Sequence, residues 1–224
     1  MPLLTNHFIH NHSMNFNEFL ITAIPLVVVV FSVVLHEIGH GYAALKLGDT
    51  TAQGLGRLTL NPIPHIDPIY TVILPLVLHF SGSPVVFGAA KPVPINPYRF
   101  DSVSPRKGMM LVAAAGPAVN FALAAFAMAI LHLLGWQNSD MVITFLLQMV
   151  FINSILGLFN LLPIPPLDGS KVLAGFLPKA MADQFMRIER FGFIILFAVL
   201  LTGIHRPFID VGIKIIFQLL PMKG

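Results

Sequence analysis

Cysteine is absent from the 224 residues, and charged residues make up only 10% of them. Without thiols, the chain cannot form a disulfide framework, an iron–sulfur cluster or a cysteine nucleophile. Any metal must therefore be held by histidine, aspartate, glutamate or asparagine. Soluble domains carry roughly a quarter charged residues. This deficit, with 56% hydrophobic residues and a mean hydropathy of +0.82, predicts an integral membrane protein and no nucleic-acid partner.

Apolar segments recur along the chain and predict an all-α membrane protein. We expect a polytopic helical bundle with about five to six membrane segments, at residues 19–45, 69–90, 108–136, 141–162, 185–204 and 208–220. The last is short and either crosses the bilayer or lies in its interface. Residues 1–18 contain no Lys or Arg and are expected to be a flexible tail. Residues 19–224 then form one membrane-embedded domain, with its core at about 20–175.

The stretch HEIGH at residues 36–40 lies inside the first apolar segment. On a helix, His36 and His40 project from one face because they are four residues apart, and Glu37 lies beside them. This H-E-x-x-H pattern provides two zinc ligands and a glutamate that acts as general base toward water. Ionisable residues at membrane depth cost several kcal/mol, so three of them at ligand spacing indicate a functional site rather than chance.

A catalytic zinc ion takes three protein ligands and keeps one position open. The best candidate for the third ligand is Asp168, in LPIPPLDG. Pro163, Pro165 and Pro166 end the fourth apolar segment, and the Asp168–Gly169 pair makes a turn. An ordinary helix end at the lipid surface would carry the same turn, and spacing alone does not decide between the two interpretations.

Three motifs, taken in order, carry a resemblance to a known family. HEIGH in an apolar helix, GPAVN at 116–120 and NLLPIPPLDG at 160–169 resemble the site-2 protease family of intramembrane zinc metalloproteases. The resemblance spans roughly residues 20–175. GRLTLNPIPHIDP and AKPVPINP further resemble the compact branch of that family, and no PDZ or CBS domain is recognised. For Asn120, the last residue of GPAVN, packing or helix capping is the favoured interpretation, over a hydrogen bond across helices near the site.

The resemblance implies an intramembrane zinc endopeptidase that hydrolyses peptide bonds within or near transmembrane segments of membrane proteins. It implies one zinc ion per chain, held by His36, His40 and Asp168, with Glu37 activating water and Asn160 binding substrate or stabilising the oxyanion. The partners would be membrane-protein substrates and the lipid bilayer. The alternatives are a divalent metal transporter and a catalytically inactive binder of membrane clients. A transporter needs no base beside its ligands, so Glu37 favours the protease.

Basic residues predict the orientation. Ten of the thirteen Lys and Arg residues fall in the links 46–68, 81–107 and 163–190, which are therefore expected on the cytoplasmic side, with the active site facing the cytoplasm of a cell membrane. His36 and Asp168 then share one side only if residues 69–90 enter and return as a re-entrant hairpin. Pro75 and SGSP at 81–84 favour that hairpin over a simple span.

Two proline-rich links, RLTLNP at 57–62 and KPVPINP at 91–97, are expected to be extended. We expect short strands here, near the active site. An exposed edge at 57–61 or 91–96 would pair with an unwound substrate backbone. The alternative is that both links are connectors without pairing.

Overall fold

A computed structural model describes residues 16–84, 88–135 and 139–220, and these residues are almost entirely helical. In chain order the helices are α1 (Phe16–Lys46), α2 (Thr51–Gly54), α3 (Leu74–Phe80), α4 (Pro105–Leu134), α5 (Asp140–Asn160), α6 (Asp168–Phe176), α7 (Lys179–Met186), α8 (Gly192–Thr202) and α9 (Arg206–Gln218). A π-helical stretch, Pro68–Ile73, leads directly into α3. Most of the predicted tail lies outside the described residues, and its last three residues belong to α1.

Three helices are long and apolar enough to cross a membrane: Ala23–Lys46, Pro105–Leu134 and Met141–Asn160. A fourth crossing is available if the bent pair Lys179–Thr202 and Arg206–Gln218 counts as one span. The predicted helical membrane fold is confirmed, but the count of five to six segments is not. One reason lies near the C-terminus, where Gly203, with a φ of +69°, ends α8 and the chain turns by 71°.

Helix α4 lies at the centre of the bundle and packs against α1, α5 and α6, while α9 packs against α5. Small residues allow the close approach of α1 to α4. A Cβ atom on Gly39 would lie 2.8 Å from Cγ2 of Val119 and 3.2 Å from the carbonyl oxygen of Ala115. Glycine at this position therefore brings the helix that carries HEIGH directly against α4, as small residues do between membrane helices.

The second apolar segment is a hairpin. Its helical part, Pro68–Phe80, covers only about 20 Å at 1.5 Å per residue, which is short of the ~30 Å of a hydrocarbon core. After a turn with Gly82 at a φ of +69°, the chain comes back to its starting point. There the Ala89 N–H donates to the Tyr70 carbonyl over 3.0 Å, and the Thr71 hydroxyl donates to the Ala89 carbonyl over 2.7 Å. The segment therefore enters and leaves at the same end of the bundle.

No β-strand is assigned in the part of the chain that the structure describes, so the expected strands at 57–61 and 91–96 are not confirmed. Both links are irregular and lack a ladder. In the 91–96 link, donors are missing because Pro92 and Pro94 have no N–H. The Val93 N–H donates to the Glu37 carboxylate and the Asn96 N–H to the Asp49 carboxylate. The 91–96 segment therefore offers no row of free amides to a substrate.

Asp49 ties the link after α1 to the link before α4. Its buried carboxylate accepts the Asn96 N–H over 2.6 Å and the Thr51 N–H over 3.0 Å. Burial alone would raise its pKa, but the hydrogen bonds from Thr51 and Asn96, with the nearby charge of Arg99, lower the pKa below its usual value. The carboxylate therefore stabilises the fold above its unfolded-state pKa, and the contribution is lost as the pH falls through the lowered value.

Candidate metal centre

His36 and His40 on α1 meet Asp168 at the start of α6. They lie at the end of the bundle that also holds the links 46–68, 88–107 and 163–190. The Nε2 atoms of His36 and His40 are 3.0 Å apart. Oδ2 of Asp168 lies 3.1 Å from the first nitrogen and 3.2 Å from the second. Among the described residues, these three form the one cluster of His and acidic side chains that could hold a metal ion.

His40 is oriented by α4. Its Nδ1 atom lies 2.8 Å from the carbonyl oxygen of Val112. A carbonyl oxygen accepts and never donates, so Nδ1 must carry a proton. In a neutral imidazole this leaves the lone pair on Nε2, the nitrogen that faces His36 and Asp168.

His36 is oriented by a buried relay of amides. The Asn153 amide donates to the Met149 carbonyl over 2.9 Å, which turns its own oxygen toward Asn120. Asn120 donates to that oxygen over 3.0 Å and presents Oδ1 to His36 Nδ1 over 2.6 Å. His36 therefore donates from Nδ1 and also keeps its Nε2 lone pair free.

This relay corrects one expectation and supplies a residue that the sequence analysis missed. Packing or capping was the favoured interpretation of Asn120, yet its fully buried side chain joins α4 to the metal-facing histidine of α1. Asn153, also fully buried, was not singled out. Both are uncharged amides in apolar helices, where a polar side chain needs a partner. That requirement was the available signal, but it does not identify the partner.

The donor set fits a divalent cation. With both Nδ1 atoms protonated, three acceptor atoms face one another, and they repel unless positive charge lies between them. Zinc bound tetrahedrally by nitrogen and oxygen at about 2.0–2.1 Å has its ligand atoms roughly 3.3 Å apart. The distances of 3.0 to 3.2 Å between these acceptors are close to that separation. Two imidazoles and a carboxylate are also zinc's usual ligand types.

Gly116 makes room for the two imidazole rings. A Cβ atom on this residue would lie 2.5 Å from Cε1 and Nε2 of His40 and 2.7 Å from Cε1 of His36. Real Cβ atoms are not found so close to other heavy atoms, so any side chain here would displace a ring. The small residue in GPAVN therefore shapes the site itself, as well as the packing between helices.

Prolines and a glycine bring Asp168 to the histidines. Helix α5 ends at Asn160, where the proline-rich stretch begins, and α6 begins at Asp168. A Cβ atom on Gly169 would collide with the carbonyl oxygens of Leu161 and Leu162, so only glycine lets the start of α6 fold back against the end of α5. Because α6 also packs against α4, the Asp168 carboxylate at the start of α6 lies inside the bundle, next to the histidines.

Glu37 and Asn160 line the same cavity, which has a volume of about 630 Å³. The Oε2 atom of Glu37 accepts the Val93 N–H over 2.8 Å, and this bond fixes the carboxylate beside the three-residue cluster. The Asn160 amide donates to the Leu156 carbonyl of its own helix over 3.0 Å. The second N–H of that amide is therefore left for another acceptor.

Replacing Asn120 by Leu should weaken metal binding. The change keeps the approximate shape but removes the acceptor for the His36 Nδ1–H group. We expect zinc affinity to fall about 10–100-fold, the usual effect of losing a partner behind a metal-binding histidine. Competition with a chromogenic chelator measures it. Asn160→Leu is the matched control and should bind zinc like the parent. Parental affinity in Asn120→Leu would contradict the relay.

Comparisons with known proteins identify the family of the chain. The pattern of Peptidase family M50 matches residues 24–137 and 135–203. A relative from Bacillus subtilis named "Putative zinc metalloprotease YwhC" is 37% identical over 79% of this chain and 80% of its own length. Another, from Mycolicibacterium smegmatis and named "Putative zinc metalloprotease Rip2", is 29% identical over 81% of this chain and 68% of its own. No solved structure gives a significant match. The resemblance seen in the motifs is confirmed, and the chain belongs to peptidase family M50, the site-2 protease family of zinc metalloproteases.

Proposed function

We propose that this zinc metalloendopeptidase hydrolyses peptide bonds within or next to the transmembrane segments of other membrane proteins. The observation that carries the proposal is the meeting of His36, His40 and Asp168 in the wall of a cavity inside a bundle of apolar helices. These three residues would hold one zinc ion, and Glu37 would act as the base. Family membership favours this function over a metal transporter or an inactive binder of membrane clients.

The chemistry divides between the metal and the chain. Zinc, when bound, polarises the scissile carbonyl and lowers the pKa of water toward neutrality. Glu37 takes one proton from the attacking water and passes it to the nitrogen of the leaving amine as the C–N bond breaks. The other proton of the water stays on the new carboxyl group, so the products are a carboxylic acid and an amine, which then ionise to a carboxylate and an ammonium group. The Val93 N–H holds the Glu37 carboxylate in one orientation, so less conformational entropy is lost when the transition state forms. Asn160 is a candidate donor to the oxyanion through its second amide N–H.

The rest of the cavity wall suits a hydrophobic substrate. Apolar side chains from α1, α5 and α8 line it: Val33, Leu156, Phe159, Leu196 and Leu200. Such a wall accepts the side chains of a membrane segment, and burial in it offsets the cost of unwinding the substrate locally. The cavity also reaches the returning arm of the hairpin at Ala89 and Ala90.

Ala90 replaces the 91–96 edge as the site of substrate pairing. Its neighbours are occupied, since the Ala89 N–H donates to Tyr70 and the Lys91 N–H donates to the His65 carbonyl over 2.8 Å. Within the described residues, the N–H and carbonyl of Ala90 have no hydrogen-bond partner, and the residue lines the cavity. An extended substrate backbone can exchange a pair of hydrogen bonds with one such residue.

The Glu37→Gln variant tests the proposed reaction. Glutamine keeps an oxygen that accepts the Val93 N–H but cannot take a proton from water. We expect about one zinc ion per chain, as in the parent, and cleavage of an unstable membrane segment reduced at least about 10³-fold. Metal analysis and a gel-based cleavage assay in detergent measure both. Cleavage at the parental rate would rule out this mechanism.

The same inactive variant also reports on substrate pairing, because it binds without cutting. Hydrogen exchange at the Ala90 amide should slow when a membrane-segment substrate is added to Glu37→Gln, whereas exchange at Ala89, already bonded, should not change. Unchanged exchange at Ala90 with saturating substrate would contradict pairing at this residue.

We place the metal end of the bundle toward the cytoplasm of a cell membrane. The links that carry most basic residues converge at this end, where the Asp101 N–H donates to the Leu47 carbonyl and Arg106 donates to the Leu177 carbonyl. Lys and Arg in short links favour the cytoplasmic side.

Single cysteines test this orientation cleanly, because the chain has none of its own. Tyr98, before the start of α4, is 89% exposed, and Leu133, in the last turn of α4, is 85% exposed. On intact cells, an impermeant maleimide should label Leu133→Cys and leave Tyr98→Cys unlabelled until the membrane is permeabilised. The reverse pattern would contradict the proposed orientation.

A further inference from the structure

The GRLTLNPIPH stretch that follows α2 contains an arginine in an unusual setting. The Arg57 side chain is buried, and the residue is only 9% exposed. Within the described residues, no carboxylate pairs with it. Burying a cation without a counter-ion destabilises the folded state unless other polar groups hydrogen-bond to it. Here backbone oxygens compensate the Nη2 end of the guanidinium, whereas the buried Nε has no hydrogen-bond partner among the described residues.

Two consecutive carbonyl groups receive the guanidinium. Nη2 of Arg57 donates to the Lys91 carbonyl over 2.9 Å and approaches the Pro92 carbonyl at 3.3 Å. The next residue along is Val93, whose N–H donates to the Glu37 carboxylate over 2.8 Å. The Pro92 carbonyl and the Val93 N–H therefore belong to the same peptide unit, and the Lys91 carbonyl belongs to the unit before it.

Both ends of this connection are anchored. The Arg57 backbone N–H donates to the carbonyl of Ala52 in α2 over 2.9 Å. At the other end, a Cβ atom on Gly41, one turn after Glu37, would collide with Leu58 and lie 3.0 Å from Cγ1 of Val93. Glycine at this position lets Val93 pack directly on α1, beside the carboxylate that its N–H contacts. The side chain of Val93 is accordingly buried.

We propose that Arg57 is a positioning residue, whose guanidinium fixes the Lys91–Val93 backbone and thereby the orientation of the Glu37 carboxylate. Because Pro92 and Pro94 have no N–H, this backbone cannot be held by strand pairing. A side-chain clamp on its carbonyl oxygens supplies the rigidity that a β-ladder would otherwise give. Its effect on cleavage rests on the proposed role of Glu37 as the base, whereas its effect on the backbone does not.

Hydrogen exchange tests the clamp directly in the purified, zinc-loaded protein. Between residues 91 and 94 only Lys91 and Val93 carry an amide proton, so their exchange reports on this segment alone. In Arg57→Met, which keeps a long apolar stem but no donor, we expect both amides to exchange at least about tenfold faster. The Asn96 amide, held separately by Asp49, should be unchanged. Arg57→Lys, which keeps a charge and a donor, should show a smaller effect.

Cleavage kinetics provide the second measurement. Arg57→Met should retain its zinc and lose about 10–100-fold in kcat, the scale expected when a catalytic group is misplaced by about 1 Å. In a Glu37→Asp background the shorter carboxylate no longer reaches the Val93 N–H. In that background, Arg57→Met should lower kcat by less than about threefold. The effects of two residues that act through the same contact do not add. If Arg57→Met does not fold, hydrogen exchange and kcat are measured instead on Arg57→Gln, which keeps one amide donor group.

The two proposals fail in different ways. Parental exchange at Val93 in Arg57→Met, or an equal loss of kcat in both backgrounds, would overturn the positioning role even if the parent cleaves membrane segments. Loss of zinc together with activity would also overturn it, since the clamp does not touch the ligands. Parental cleavage by Glu37→Gln would instead overturn the proposed reaction and leave the exchange result standing.

Discussion

Two imidazole nitrogens and a carboxylate oxygen, held 3.0 to 3.2 Å apart with their lone pairs converging, repel one another unless a cation lies among them. Much of the surrounding structure serves to hold them there. The Val112 carbonyl and the Asn120 amide fix the two histidine tautomers. Gly116 leaves space for the rings. These features together stabilise a metal-bound protein better than a metal-free one, since binding to the folded state adds directly to stability.

The site also has to exist within an apolar bundle, where an unsatisfied polar group costs about 1–3 kcal/mol. The chain meets this requirement in two ways. On the inner side, the amides of Asn120 and Asn153 satisfy each other and end at a helix carbonyl, so the polar relay is closed. On the outer side, Glu37 and Asp168 line a cavity of about 630 Å³. On the opposite side of the two imidazoles, α4 contacts them through the Val112 carbonyl and Gly116.

The sequence predicts the parts of the site that lie on single helices, and it fails where helices meet. His36, Glu37 and His40 follow from helical spacing, and the prolines before Asp168 indicate a helix end. The role of Asn120 did not follow, because its partner depends on how α4 crosses α1, which no spacing along one chain records. The hairpin was indicated by Pro75 and SGSP and by the need to bring the ligands to one side. The links at 57–62 and 91–97 were expected to be extended, and neither is α-helical, although a 3₁₀-helix begins at Pro97. Strands were expected there as well and are not confirmed in the described residues; between 91 and 96, Pro92 and Pro94 lack the N–H that a ladder needs.

The proposed chemistry depends on one zinc ion held by two imidazoles and the Asp168 carboxylate. X-ray absorption at the zinc edge, on protein freed of loosely bound metal by gel filtration, tests it most directly. We predict about one zinc per chain, with two imidazole nitrogens and oxygen ligands at about 2.0–2.1 Å, and loss of the bound metal in Asp168→Ala. A zinc coordination shell without imidazole nitrogen, or full zinc occupancy in Asp168→Ala, would contradict this set of ligands.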